Sequence, residues 1–172
     1  MATTALRDGA RPKPKPLAPD RIDRILAAAS LLLLFFVLAA LARGRAEWHL
    51  LPPLLWTHIL TVLVALALTP LMLLRRRGDR LHRRLGWIWA AALAGTALVS
   101  FGIRGIGNGS LSPIHLLSVW TLIQVPLVVR YARRHDHDRH RRAVRFMVAG
   151  ALLIAGFFTF PFGRQLGLWL LG

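Results

Sequence analysis

Residues Leu51–Leu74 read LPPLLWTHILTVLVALALTPLMLL, a run of 24 residues without Asp, Glu, Lys or Arg. A helix rises 1.5 Å per residue, so about 20 apolar residues cross a hydrocarbon core about 30 Å thick. Four other apolar runs have a similar length, the last with one arginine near its start: Ile25–Ala42, Leu85–Ile103, Leu111–Val129 and Ala143–Phe162. The sequence therefore predicts an all-α integral membrane protein with five transmembrane helices.

The basic residues lie mainly on one side of these predicted spans. Of the 23 Lys and Arg residues, 19 precede the first run, lie between the second and third, or fall between Arg130 and Arg145. The remaining four are Arg43, Arg45, Arg104 and Arg164. This asymmetry predicts a cytoplasmic N-terminus and an external C-terminus in a multi-pass protein of the bacterial-type cytoplasmic (inner) membrane. It also explains the net charge of +16 without a nucleic-acid partner.

The chain divides into a short tail and one membrane domain. Residues 1–24 include Arg-Pro-Lys-Pro-Lys-Pro at positions 11–16, a composition typical of disorder, and we expect a disordered cytoplasmic tail. Residues 25–172 then form the five-span domain. The chain has no Cys, which excludes disulfides, thiolate metal sites and covalent attachment of a c-type haem.

An internal repeat relates spans two and three to spans four and five. His58-Ile-Leu-Thr-Val62 is echoed by His115-Leu-Leu-Ser-Val119, and His82-Arg-Arg84 is echoed by His140-Arg-Arg142. The two histidines of each copy are 24 and 25 residues apart. Two copies in the same orientation imply a pseudo-twofold axis along the membrane normal.

The histidines of the two copies are matched in depth. By helix rise, His58 and His115 lie about 25 and 22 Å above the cytoplasmic boundary, whereas His82 and His140 lie close to it. Equivalent residues of two copies face each other across a twofold axis, so we expect two pairs, His58 with His115 and His82 with His140. Two facing imidazoles inside a four-helix bundle suit the axial positions of a haem iron. Spans two to five are therefore predicted to form a haem-type bundle with two b haems, and the first span lies beside it.

Arginines near each pair are candidates for the haem propionates. Arg83 and Arg141 would serve the inner haem, and Arg104 and Arg164 the outer one, where the positive-inside rule does not require cations. His49 is an alternative partner for the outer iron, or an interfacial anchor. The loop sequence His135-Asp-His137-Asp offers metal-ligand types at a spacing that also suits a solvated linker.

Two resemblances accompany this pattern. The ligand pairs on spans two with four and three with five look like those of the cytochrome b561-type di-haem electron carriers, and Ser112-Pro-Ile-His-Leu-Leu-Ser118 is similar to the stretch that opens their fourth span. His82-Arg83-Arg84-Leu85-Gly86 and His140-Arg-Arg also resemble a family of bacterial membrane proteins catalogued as a domain of unknown function, over about residues 50–165. The first resemblance implies electron transfer, and the second implies no activity.

The expected function is a membrane b-type cytochrome that carries electrons across the bilayer through two bis-histidine haems. Its electron donor and acceptor are not specified by the sequence, and a homodimer is left open. No carboxylate lies inside a predicted span, which argues against a proton-coupled transporter with an acidic relay. The alternative is a cofactor-free membrane protein, a structural or partner subunit or a small transporter, whose histidines are interfacial. Whether the chain is an enzyme is open, since an oxidoreductase activity would depend on the haem.

Overall fold

A computed structural model describes residues 18–103, 113–161 and 163–172, and these segments are helical with no β-strand among them. The helices, in chain order, are α1 (Arg21–Arg43), a 3-10 helix (Gly44–Leu50), α2 (Pro53–Leu74), α3 (Arg80–Ser100), α4 (Pro113–Arg133), α5 (His137–Met147), a π-helix (Val148–Ile154), α6 (Ala155–Phe157) and α7 (Gln165–Leu171). The all-α fold class is thus confirmed for the described segments.

Acidic residues start three of these helices. The side chains of Asp20, Asp79 and Asp136 each accept a hydrogen bond from a backbone N–H in the first turn of α1, α3 and α5. Such N-caps satisfy amides that have no partner within the helix. Three of the seven acidic residues in the chain therefore serve as helix caps at the basic end of the molecule.

Three helical segments are long and apolar enough to cross a membrane: Arg21–Leu50, Pro53–Leu74 and His115–Arg133. These segments indicate a membrane protein. Large apolar side chains also point outward, and Phe35, Leu116 and Phe146 each keep more than 60% of their surface exposed. Exposure of this kind is unfavourable in water and ordinary against lipid. The other two predicted spans start in α3 and α5, and these helices begin with arginine-rich turns that lower their mean hydropathy.

The helices pack in a ring. Helix α2 packs against α1 and α3, α3 against α4, and α4 against α5, while the π-helix that continues α5 contacts α1, α2 and α4. This order places α3 opposite α5 and α2 opposite α4. The centre is filled by fully buried side chains, which include Leu66, Leu93, Met147 and Val148.

The fifth apolar run, Ala143–Phe162, differs most from its expected form. It is not one α-helix, because the chain passes through the π-helix and α6 and leaves the helix after Phe157. Gly150 lies in the π-helix, where an added Cβ would come within 3.3 Å of the Trp120 ring. The missing side chain therefore lets the π-helix approach α4 closely.

Candidate functional site

A cavity of about 360 Å³ lies at the basic end of the ring. Side chains from α2, α3, α4 and α5 line it, among them His82 and His140. Its volume falls in the range of about 300–1,000 Å³ that is usual for small-molecule and cofactor sites. We call it the inner cavity.

His82 and His140 bring two imidazoles to the inner cavity from opposite helices. The Nδ1 of His140 donates a hydrogen bond to the Val128 carbonyl oxygen at 3.0 Å. A carbonyl oxygen only accepts, so in the neutral ring the proton is on Nδ1 and the lone pair is on Nε2. The Nδ1 of His82 is buried and has no hydrogen-bond partner among the described residues. The His82 Nδ1 and the His140 Nε2 are therefore the ring nitrogens available for a further hydrogen bond or for a metal.

The surroundings of both rings favour the neutral imidazole. Burial lowers the pKa of His82, and repulsion from His140, when that ring is protonated, and from Arg77 lowers it further. Burial is also the main cause that lowers the pKa of His140. Because an imidazole binds a metal only when it is deprotonated, the lowered pKa of each ring favours the state that can bind one.

The walls of the inner cavity combine apolar side chains with charged ones. Gly86 lies one turn after His82, and a Cβ there would come within 3.3 Å of the Met72 Cε. Trp89 is buried, and its Nε1 donates to the Thr69 Oγ1 at 2.9 Å. Gly86 and Trp89 therefore give α3 an apolar part of the cavity wall.

An ionic cluster that the sequence did not indicate closes one side of the inner cavity. Asp23 is fully buried, and its carboxylate accepts hydrogen bonds from Arg77, Arg141 and Arg145. Asp20 joins the cluster through Arg141, at 2.7 Å, and through Arg145. We call these five residues the Asp23 cluster. The feature of the sequence that could have pointed to it is the pair Asp20 and Asp23, three residues apart before the first apolar run, a spacing typical of a capping box.

The arginines that line the inner cavity differ in whether they pair with a carboxylate of the Asp23 cluster. Arg141 lines the cavity as expected from the sequence, yet its guanidinium pairs with Asp20 and Asp23. Arg83 also lines the cavity and donates to the Gly78 carbonyl at 3.1 Å. Arg133 lies at the same cavity, 5.5 Å from the centre of the Trp87 ring. Arg83 and Arg133 are therefore the better candidates to meet an anionic ligand group.

The outer pair of histidines lies in different surroundings. His58 lines a second cavity of about 120 Å³, and its Nδ1 lies 3.2 Å from the Ser100 hydroxyl. His115 is buried, with its ring centre 5.7 Å from that of Phe101. The outer cavity is smaller than the usual cofactor site, and His115 is not among the described residues that line it, so the two outer histidines do not meet at one cavity.

The remaining predicted residues are scattered. Arg164 precedes α7, His49 is exposed in the 3-10 helix, and Arg104 lies outside the described residues. His135 and His137 line the inner cavity with ring centres 6.4 Å apart. Within the described part of the chain, no group of three or more His, Asp or Glu side chains is arranged to hold a metal ion.

Comparison with known proteins gives no relative for this chain: no family model, no curated protein and no solved structure matches it.

Proposed function

We propose that this chain is a membrane b-type cytochrome that binds haem in the inner cavity, with His82 and His140 as the axial ligands. The observation that carries the proposal is the convergence of these two half-buried imidazoles, from opposite helices, on one cavity of about 360 Å³. Bis-imidazole ligation needs two neutral rings, and the lowered pKa of each histidine supports that state.

The chain's own residues have distinct parts in this proposal. The Val128 carbonyl fixes the His140 ring through Nδ1, a contact that orients the opposite nitrogen of a metal-binding imidazole. Gly86 and the flexible end of Met72 form the wall beside α3, where the macrocycle would lie. Arg83 and Arg133 at the cavity would neutralise the propionates by charge-assisted hydrogen bonds. A bound haem supplies one-electron chemistry, since its iron alternates between the ferric and ferrous states.

The proposed setting is the cytoplasmic membrane. Five spans with a cytoplasmic N-terminus would place the inner cavity at the cytoplasmic end of the bundle, where the excess of arginines lies. The lipid bilayer is then the main partner, and an electron donor or acceptor would approach the cavity from the cytoplasm. The proposal includes one haem, because only the inner pair of histidines lines a common cavity among the described residues.

Absorption spectroscopy with haem quantification tests the proposal. The purified protein should show a Soret band and dithionite-sensitive bands of bis-imidazole haem, at one haem per chain. His82→Ala and His140→Ala should each remove it, and His115→Ala should retain it. Two haems per chain, one lost in His115→Ala, would restore the two-haem prediction.

The alternative is a cofactor-free membrane subunit whose buried ionic cluster holds its helices together. A folded protein that is expressed with ample haem and shows no Soret band would establish this alternative.

A further inference from the structure

The outer cavity beside His58 has a chemical character that differs from that of the inner one. It lies near the start of α2, and hence at the end of the ring away from the arginine-rich loops. No charged side chain lines it among the residues that the structure describes. Most of its wall is apolar, contributed by residues such as Val62, Leu66 and Leu93. A ligand for this cavity is therefore neutral and mainly apolar.

Ser100 determines where the proton of the His58 ring is. The Ser100 hydroxyl has one proton and donates it to the Thr96 carbonyl at 2.8 Å, the shorter of its two contacts. Towards the His58 Nδ1, 3.2 Å away, its oxygen therefore accepts. In the neutral ring the proton is thus on Nδ1, and Nε2 is a hydrogen-bond acceptor. The His58 ring also donates to the Thr96 carbonyl, and a neutral ring whose one proton is held by these two acceptors keeps Nε2 as its acceptor.

The other hydroxyls of the cavity use their protons inside the protein. Thr121 donates to the Leu117 carbonyl at 2.8 Å, and Thr159 donates to the Gly156 carbonyl at 2.6 Å. Thr96 donates to the Thr61 hydroxyl at 2.8 Å. Ser118 also lines the cavity, is buried and has a partner of its own. The cavity thus presents mainly acceptors, and it favours a ligand that donates.

We propose that the outer cavity binds a small neutral compound with one hydroxyl group on an apolar body, such as a phenol or a short alcohol. The ligand hydroxyl donates to the His58 Nε2, and the apolar body lies against Val62, Leu66 and Leu93. The size is suitable, because an engineered apolar cavity of about 150 Å³ binds benzene. This inference assigns His58 a role that does not depend on haem in the inner cavity.

Phenol is the probe, and toluene is the control because it has the same shape and no hydroxyl donor. The full chain, labelled with ¹⁵N-histidine, is placed in lipid nanodiscs, and the His58 signals are identified by their loss in His58→Phe. Phenol should shift the His58 Nε2 signal saturably, and toluene should not. Ligand-observed saturation transfer should show phenol binding about three- to tenfold more tightly than toluene, the worth of one neutral hydrogen bond.

Two variants separate the hydrogen bond from simple apolar binding. His58→Phe should reduce phenol to the affinity of toluene and leave the haem content unchanged. Ser100→Ala removes one of the two acceptors of the ring proton and leaves the Thr96 carbonyl, so phenol affinity should fall less than in His58→Phe while toluene affinity stays the same. Equal binding of phenol and toluene by the unmodified chain, no saturable shift, or loss of haem in His58→Phe would each overturn the inference.

Discussion

Asp23 and Arg141 are 118 positions apart in the chain, and the Arg141 guanidinium donates a hydrogen bond of 2.8 Å to the Asp23 carboxylate. The same carboxylate also accepts from Arg77 and Arg145. One buried acid therefore joins the first turn of α1 to the α2–α3 loop and to α5. Because α3 and α5 carry the two inner histidines, this contact helps to fix the inner cavity.

Asp23→Asn should destabilise the protein strongly. The change removes the one carboxylate that three partly buried arginines share, and only Arg141 and Arg145 keep Asp20 as a carboxylate partner within the cluster. Breaking a buried ion pair typically costs about 3–5 kcal/mol. Asp138→Asn is the matched control, since Asp138 is exposed and the change should cost less than about 1 kcal/mol. Unfolding followed by tryptophan fluorescence in detergent measures both variants. Equal stability of the two would show that the cluster is not structurally important.

The Asp23 cluster also predicts loss of stability in acid. The hydrogen bond from Arg145 is the main cause that holds the pKa of Asp20 well below its usual range. The unfolded chain therefore binds more protons than the native one as pH falls below about 4, so stability is present above that pH and is lost as it falls. Asp20 is partly exposed, which weakens the effect. A series of unfolding curves from pH 6 to pH 3 should show this loss, and Asp20→Asn should have a shallower acid dependence.

The helices were predictable because charge and apolar runs alternate along the chain. Leu51–Leu74 was expected to be one helix, and α2 covers Pro53–Leu74, starting where two prolines allow a helix to begin. The nearly equal spacing of histidines in the repeat, 24 and 25 residues, also predicted which residues lie at the same level, and His82 and His140 line one cavity. Both features depend on local spacing and helix rise alone.

The Asp23 cluster could not be predicted in this way. Its members come from three separate parts of the chain, and the arginines look like topology determinants in a sequence with 19 basic residues on one side. The difference in volume between the two cavities could not be predicted either, because the volume of a cavity depends on how all the surrounding helices pack. Ser100, which sets the proton of His58, lies 42 positions away from it.

Gly86 should control access of a macrocycle to the inner cavity. Gly86→Ala adds one methyl group near the flexible end of Met72, which can shift by the few tenths of an ångström that the 3.3 Å contact requires. Haem content should then be retained. Gly86→Leu would extend into the cavity and should remove most of the haem while the far-ultraviolet circular dichroism stays the same. Full haem in Gly86→Leu would place the ligand elsewhere.

Reporter fusions should test the five-span topology. Fusions after residues 79 and 136 should be cytoplasmic, and those after residue 108 and at Gly172 should be external, because the arginines concentrate on the first side. Alkaline phosphatase and green fluorescent protein, used in parallel, report opposite sides. A cytoplasmic signal at Gly172 would indicate an even number of spans and would contradict the placement of the inner cavity.

The redox potential should depend on Arg83 and not on Arg164. A cation beside the haem stabilises the ferrous state, which carries one negative charge more than the ferric state, so removing the cation lowers the potential. Arg83 lines the inner cavity, and Arg83→Gln should lower the potential of the bound haem by an amount on the order of tens of millivolts. Arg164 stands at the start of α7, away from the inner cavity, and Arg164→Gln is the matched control with no expected shift. A spectroscopic redox titration measures both variants. The charge of an arginine affects the potential mainly at short distance, since solvent screens it. A shift in Arg164→Gln with none in Arg83→Gln would therefore indicate that the outer histidines bind the haem.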